Sequence, residues 1–404
     1  MNAIMRTARG LAVLVVGLSL ALAATAADWP VWRGPQRDST IDETIDVKKL
    51  TGKPEIAWEK NLGVGYANVT VVDGRLYTMG NDGKQDTVWC LDADTGEKLW
   101  AFSYRCGRGG GYAGPKATPV VVDGRVFTLS QDGQAYALDA VKGTEIWKRN
   151  LVKEFGAKPP KWRFAGSACP VGPVLLYNAN QYGIALYQKT GKKLWASPAG
   201  RGSYAVPVLT RHQGQTLAMI FSSKALNCVE AKTGRKLWDY TWHTAHDVNA
   251  ADPLVNGSQV MITSGYGKGC AMIDFSSGKP VKKWQNKSLA SHFSSSVLLD
   301  GHVYGIHGNA GRGTLKCLRF ADGKEQWGQK TGFGSLVLAG DKLIVLTERG
   351  RVVVVEPSTD GYKELASCRI MKPRGRCWTM PVVVGGKLYC RSSSGQLVAA
   401  DVGK

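Results

Sequence analysis

The chain of 404 residues is poor in acid: 32 Asp and Glu stand against 52 Lys and Arg, a formal charge of +20. An imbalance of that size bears on solubility and on attraction of anionic partners, not on fold. Histidine is scarce, at six residues. The pair His243 and His246, beside Asp247 in "HTAHD", sits in a loop pattern that fixes no ligand geometry and offers no third ligand, so no metal site is expected. A Walker-type phosphate loop is missing, as is the G-x-S-x-G nucleophile elbow. Their absence removes the usual signatures of nucleotide hydrolysis and of α/β-hydrolase acyl transfer. No catalytic residue is assigned, and no nucleic-acid partner is expected.

Long apolar runs are also lacking. Only residues 11–23 form one, behind Arg6 and Arg9 and before Ala24-Thr25-Ala26. It is shorter than the roughly 18 to 20 residues of a spanning helix and has the layout of a secretory signal. Residues 1–26 are therefore read as a signal peptide, and the protein as exported, periplasmic or extracellular, with no transmembrane segment in the mature chain. Without those two arginines the formal charge falls from +20 to +18. No cysteine stands at the expected cleavage site, which argues against a lipid anchor. Low-complexity tracts, charge blocks and linkers are absent too, so residues 27–404 read as a single domain and a monomer.

Glycine, in contrast, is plentiful at 49 residues, and its spacing is regular. Gly52, Gly96, Gly143, Gly191, Gly234, Gly278, Gly323 and Gly361 follow at intervals of 44, 47, 48, 43, 44, 45 and 38, a period that signals a repeat architecture. A tryptophan stands four residues after five of them, as Trp100, Trp147, Trp195, Trp238 and Trp327. In two more, Trp58 and Trp284, it stands six after; the last copy has Leu365. Within one period, "PVVVDGRVFTLSQDGQAYALDAVKGTEIW" (119–147), three tight turns separate four β-forming runs. Four strands per repeat make a blade. The seven tryptophans are expected to dock neighbouring blades, each burying about 150 to 250 Å². The acids four residues before the turn glycines, Asp92, Asp139, Glu230 and Asp274, are expected to cap the turns.

The last repeat supplies three strands and stops, whereas "EIAWEKNL" (55–62) has no three strands before it. Joining the two completes an eighth blade. The predicted fold is all-β: an eight-bladed propeller of four-stranded antiparallel blades, the last closed by an N-terminal strand, which removes open sheet edges.

Long, dissimilar loops, 103–116, 150–168, 240–251 and 367–378, lead from tryptophan strands into the next blades and define one face as the place for binding. Just before the innermost strands, at the mouth of the central channel, the register places Tyr66, Lys116, Tyr204, Asn249, His292, Arg376 and Trp378, with Arg163 nearby. Aromatics and cations converging there suit a planar or anionic ligand. Of the nine cysteines, Cys90, Cys228 and Cys317 occupy a repeat position that elsewhere holds Ala137 and Ala185, so it calls for a small buried side chain. Cys368 and Cys377 flank one loop and are within reach of pairing.

The segments "CLDADTGEKLW" and, more loosely, "CVEAKTGRKLW" resemble the repeat of the pyrroloquinoline quinone (PQQ)-like propellers, a superfamily that includes quinoprotein dehydrogenases and the outer-membrane assembly lipoprotein BamB. The opening "DWPVWRGPQRDS" and the stretches "GSLVLAGDKLIVLTERG" and "GRCWTMPVVVGGKLYCRSSSGQLV" resemble exported PQQ-like repeat proteins. The resemblance implies either a non-catalytic binding or scaffold propeller for a protein, glycan or polyanionic ligand in the cell envelope, or a PQQ-dependent alcohol or sugar dehydrogenase with bound Ca²⁺. The chain departs from the dehydrogenases in lacking an adjacent Cys-Cys pair and a Cys-x-x-Cys-His haem site. The expectation is a binding propeller with no cofactor.

Overall fold

A computed structural model of the protein describes residues 28–107 and 109–403; the signal-like segment 1–26 lies outside them. Each repeat folds as its turn chemistry directs. In the first blade Thr70–Val72, Arg75–Asn81, Gln85–Asp92 and Lys98–Arg105 pair antiparallel in chain order. The turn after its innermost strand has Asp73 at φ 50° and Gly74 at φ 69°, the paired positive values of a two-residue hairpin. Several third strands are buried on both faces by neighbouring blades and read as near-continuous apolar runs. In Arg351–Glu356, Val352 to Val355 are at most 1% exposed.

Eight such sheets form the ring. Ile56–Asn61 pairs antiparallel with Gln396–Asp401 and completes the eighth blade, with Trp58 opposite Ala399. The ring is therefore closed by both ends of the domain, as the repeat count predicts. Arg391 crosses this seam fully buried. Its guanidinium donates to Ala67 O, to Thr78 Oγ1 at 2.8 Å and to Gly63 O at 3.2 Å, and burial pushes its pKa down to about 9.

The structure explains why Thr-Gly and Trp travel together. Trp58, Trp100, Trp147, Trp195 and Trp327 each donate an indole N–H to a carbonyl of the next blade, at 2.7 to 3.0 Å. The rings of the first four lie beneath that blade's turn glycine. A Cβ on Gly96, Gly143, Gly191 or Gly234 would come within 2.4 to 2.7 Å of them. Gly323 sits likewise against Trp284, whereas Gly278 has nothing within 4 Å, its neighbour Trp238 packing on Phe275 instead. Opposite the tryptophan in five of the sheets stands a small residue, Cys90, Ala137, Ala185, Cys228 or Cys317, whereas Trp284 faces Met272. Three of the four turn acids act as caps: Asp92 Oδ1 accepts from Asp94 N and Thr95 N, Asp139 Oδ1 from Val141 N and Lys142 N, and Asp274 Oδ1 from Ser276 N, whereas the longer Glu230 side chain accepts from Thr233 Oγ1 and Arg235 Nε instead. All nine cysteines are buried and free. Cys377 does not pair with Cys368; its thiol packs at 3.4 Å on Met371 Sδ.

Residues 28–46, which supply none of the four antiparallel strands of any blade, fill the channel from the turn face. Trp29 bridges Val71, Pro30 O accepts from Val121 N, Arg33 reaches Ser296 O at 2.7 Å, and Thr40–Ile41 runs parallel to Gly334–Ala339. The carboxylate of Glu43 accepts from Gly385 N and Gly386 N in the turn of the eighth blade. The segment thus spans the ring and closes one end of the channel.

Candidate functional site

With that end plugged, the channel becomes a blind cavity of about 200 Å³ opening on the long-loop face. Its floor is set by Trp32, whose indole N–H donates to Asp252 Oδ2 at 2.6 Å. Asp252 is buried, its other oxygen accepts from Val206 N at 2.7 Å, and the neighbouring Arg33 charge offsets part of the burial that raises its pKa.

The walls come from the loops. The connection after the second blade starts with one helical turn, Leu151–Phe155, capped by Asn150 Oδ1 and ended by Gly156 at φ 71°. It brings Trp162 over the mouth, where the Trp162 backbone N–H donates to the Tyr204 hydroxyl. Tyr66 is held by its backbone N–H on Pro115 O at 2.7 Å. Trp378 is oriented by its indole N–H on Glu348 Oε2 at 3.1 Å.

The rings touch in a closed circuit. Tyr112 meets Trp162 (6.5 Å between centroids), Trp162 meets His246 (5.8 Å), and His246 meets Tyr266 (5.6 Å). Tyr266 then meets His292 (4.8 Å), His292 meets Phe293 (4.7 Å), Phe293 meets Trp378 (5.0 Å), and Trp378 returns to Tyr112 (5.5 Å). Tyr66 stacks on Trp378 at 5.5 Å. Edge-to-face and offset contacts of this kind order the collar beyond its area burial.

Of the eight residues placed at the mouth by sequence, Tyr66, Lys116, Tyr204, His292 and Trp378 line the cavity. His292 is a neutral ring there, since burial pushes its pKa down to about 4. The other three face elsewhere, each for a local reason. Asn249 is fully buried and donates to Ser222 O and Ser223 O, tying two loops together. Arg376 turns back to Glu348 Oε1 at 2.9 Å, and Arg163 turns outward to Asp132 at 3.5 Å. Sequence reasoning missed Trp32, Tyr112, Trp162, Tyr266, Phe293 and Asp252. The "WPVWRGP" motif lying outside every blade was the available signal for Trp32; the rest sit in loops whose course no periodicity dictates.

A closed eight-bladed ring with a plugged channel and an aromatic mouth defines the class: a β-propeller whose distinctive surface is one funnel. The chain belongs to the PQQ-like propeller family, whose matching model, described as outer membrane protein assembly factor BamB, covers residues 84–329. It is 26% identical over 337 residues to the outer membrane protein assembly factor BamB of Burkholderia pseudomallei, covering 78% of this chain and 79% of that one. Among solved structures it resembles BamB from Moraxella catarrhalis (TM-score 0.60, 16% identity, 85% of this chain and 98% of that one). It also resembles the quinohemoprotein alcohol dehydrogenase ADHIIG from Pseudomonas putida HK5 (TM-score 0.68, 14% identity, 93% and 80%). At these identities the structural likeness concerns the fold.

The dehydrogenase likeness raises PQQ with Ca²⁺, and the cavity's donors do not fit it. Ca²⁺ takes about six to eight oxygen ligands, carboxylates prominent among them. The cavity presents one carboxylate, Asp252, and both of its oxygens are already engaged. A tricarboxylate quinone would meet one lining cation, Lys116. Among the described residues no group of three or more His, Cys, Asp or Glu side chains is placed to hold a metal.

Proposed function

We propose that this protein is an exported, non-catalytic binding or scaffold propeller that recognises a protein, glycan or other anionic ligand in the cell envelope on its long-loop face. The observation that carries the reading is the closed circuit of aromatic rings around a blind cavity. Rings at the mouth of a plugged channel offer large, pre-ordered contact area to a ligand. Membership of a family named for an outer membrane assembly factor supports the scaffold side of the reading, and the secretory layout of residues 1–26 supports its place in the envelope.

The experiment sets the reading against quinone chemistry. Titration of the full chain with PQQ and Ca²⁺ leaves the quinone absorption spectrum unchanged, while envelope extracts passed over immobilised protein yield a partner whose capture Trp162→Ala and Trp378→Ala weaken. A spectral change together with dye-linked alcohol or sugar oxidation overturns the reading. So does capture indifferent to both collar substitutions.

A further inference from the structure

The two faces of the ring differ in charge. On the funnel face, the loops entering the innermost strands and those joining second to third strands hold 14 cations among the described residues. Loops 106–119, 151–168, 197–207, 287–296 and 370–381 supply one, four, one, one and three, and Lys84, Lys224, Lys268 and Arg349 supply the rest. The same connections hold six acids, Asp82, Asp132, Glu154, Asp247, Asp252 and Glu348. Four of these are spent: Asp252 and Glu348 are buried, Asp132 pairs with Arg163 and Glu154 with Arg149. The turns of the opposite face, 51–55 included, hold eight cations and nine acids. Of the two faces, the funnel face alone therefore carries a basic excess.

Inside the cavity the charge narrows to one lysine. Lys116 Nζ donates to Gly114 O and to Gln131 Oε1, each at 3.2 Å. Both partners are neutral, and among the described residues no carboxylate lies within ion-pair distance of it. An ammonium has three protons to donate, so one remains for a ligand. A partly buried cation with no direct ion-pair partner, felt by Asp86 and Asp132 only at longer range, gains when an anion is brought to it.

Resting on the reading of the funnel as a ligand site, we infer that it seats the terminal ring of an acidic polysaccharide, with Lys116 anchoring the carboxylate of that unit and the cationic rim receiving the following units. Three observations favour sugar over an acidic peptide. The cavity is below the roughly 300 to 1,000 Å³ of pockets for drug-sized ligands, which suits one ring. Its walls are aromatic faces, whose negative quadrupole attracts the C–H faces of a pyranose, and four tyrosines, Tyr66, Tyr112, Tyr204 and Tyr266, bring hydroxyls to the ring's own. Addition of a peptide as a further inner strand is blocked at the first and seventh blades, whose channel side residues 29–41 occupy.

The test is calorimetric titration of the full chain with tetragalacturonate, with the same oligosaccharide fully methyl-esterified, and with tetraglutamate. The expected result is binding of the acidic sugar, weakened at least about tenfold by Lys116→Gln, the size of one lost charge-assisted hydrogen bond, and retained by Lys116→Arg. The ester binds wild type and Lys116→Gln equally, which shows the variant's collar to be intact. Absence of acidic-sugar binding overturns the inference, as does binding unaffected by Lys116→Gln or tetraglutamate bound as tightly. Tight tetraglutamate binding that depends on Trp162 would sink the sugar class alone and leave the funnel as a ligand site. Indifference of every ligand to collar substitutions would sink both.

Discussion

Gly143→Ala isolates the contact on which the ring is built. The new Cβ would meet Trp100 ring atoms at 2.6 Å, and Gly143 has φ 71°. A left-handed backbone conformation costs an L-residue roughly 1 to 2 kcal/mol, and forcing a methyl into a packed contact costs a further 1 to 3 kcal/mol or so. Gly278→Ala carries the first cost alone, because φ there is 78° and nothing lies within 4 Å. Urea unfolding of the two variants, compared at equal m-values, should therefore separate them by about 1 to 3 kcal/mol, with Gly143→Ala the weaker. Equal losses would mean that the repeat keeps glycine for its turn conformation only, and that the Trp–Gly stack contributes nothing to blade docking.

Three further outcomes follow from buried charge. Arg391→Leu leaves the carbonyls of Ala67 and Gly63 without donors across the closing seam and should lower stability by about 2 to 4 kcal/mol, read by thermal unfolding. Asp86 is buried, accepts from Asn81 Nδ2 at 2.7 Å, and has its pKa raised to about 6 by desolvation. Because the folded value lies above the ordinary 3.8, Asp86 costs stability as pH rises from about 4 through 6, so Asp86→Asn should stabilise the protein at pH 7 by on the order of 2 kcal/mol and leave it unchanged near pH 3; a gain of equal size at both pH values would refute the assignment. Burial lowers the Lys116 pKa to about 8, so affinity for an acidic ligand should hold from pH 6 to 7 and fall as the ammonium is lost above 8. Lys116→Arg should keep the affinity flat over that range.

The architecture was legible because it repeats: eight copies of one turn, seven tryptophans and two incomplete ends define a closed ring without coordinates. The funnel was half legible. Tyr66, Lys116, Tyr204, His292 and Trp378 precede innermost strands, and their place follows from register. Trp162 and Tyr112 reach the mouth on loops shaped by a helical turn and by approaches such as Gly65, where a Cβ would stand 2.9 Å from Pro115 O. Periodicity carries no information about such loops. Arg376 and Arg163 show the converse: their positions were near the mouth, but nearby carboxylates drew the guanidinium groups aside. The plug was invisible because its motif forms no strand of a blade, and its partners lie up to hundreds of residues away.

The central claim is that the funnel face, and not net charge alone, binds the ligand. Two triple variants of equal charge test it on immobilised heparin: Lys158, Lys161 and Arg374 reversed to Glu on the funnel face, and Lys192, Lys279 and Lys324 reversed to Glu on the turn face. Only the first set should elute at markedly lower salt than the parent chain. Identical elution of the two sets would contradict the account.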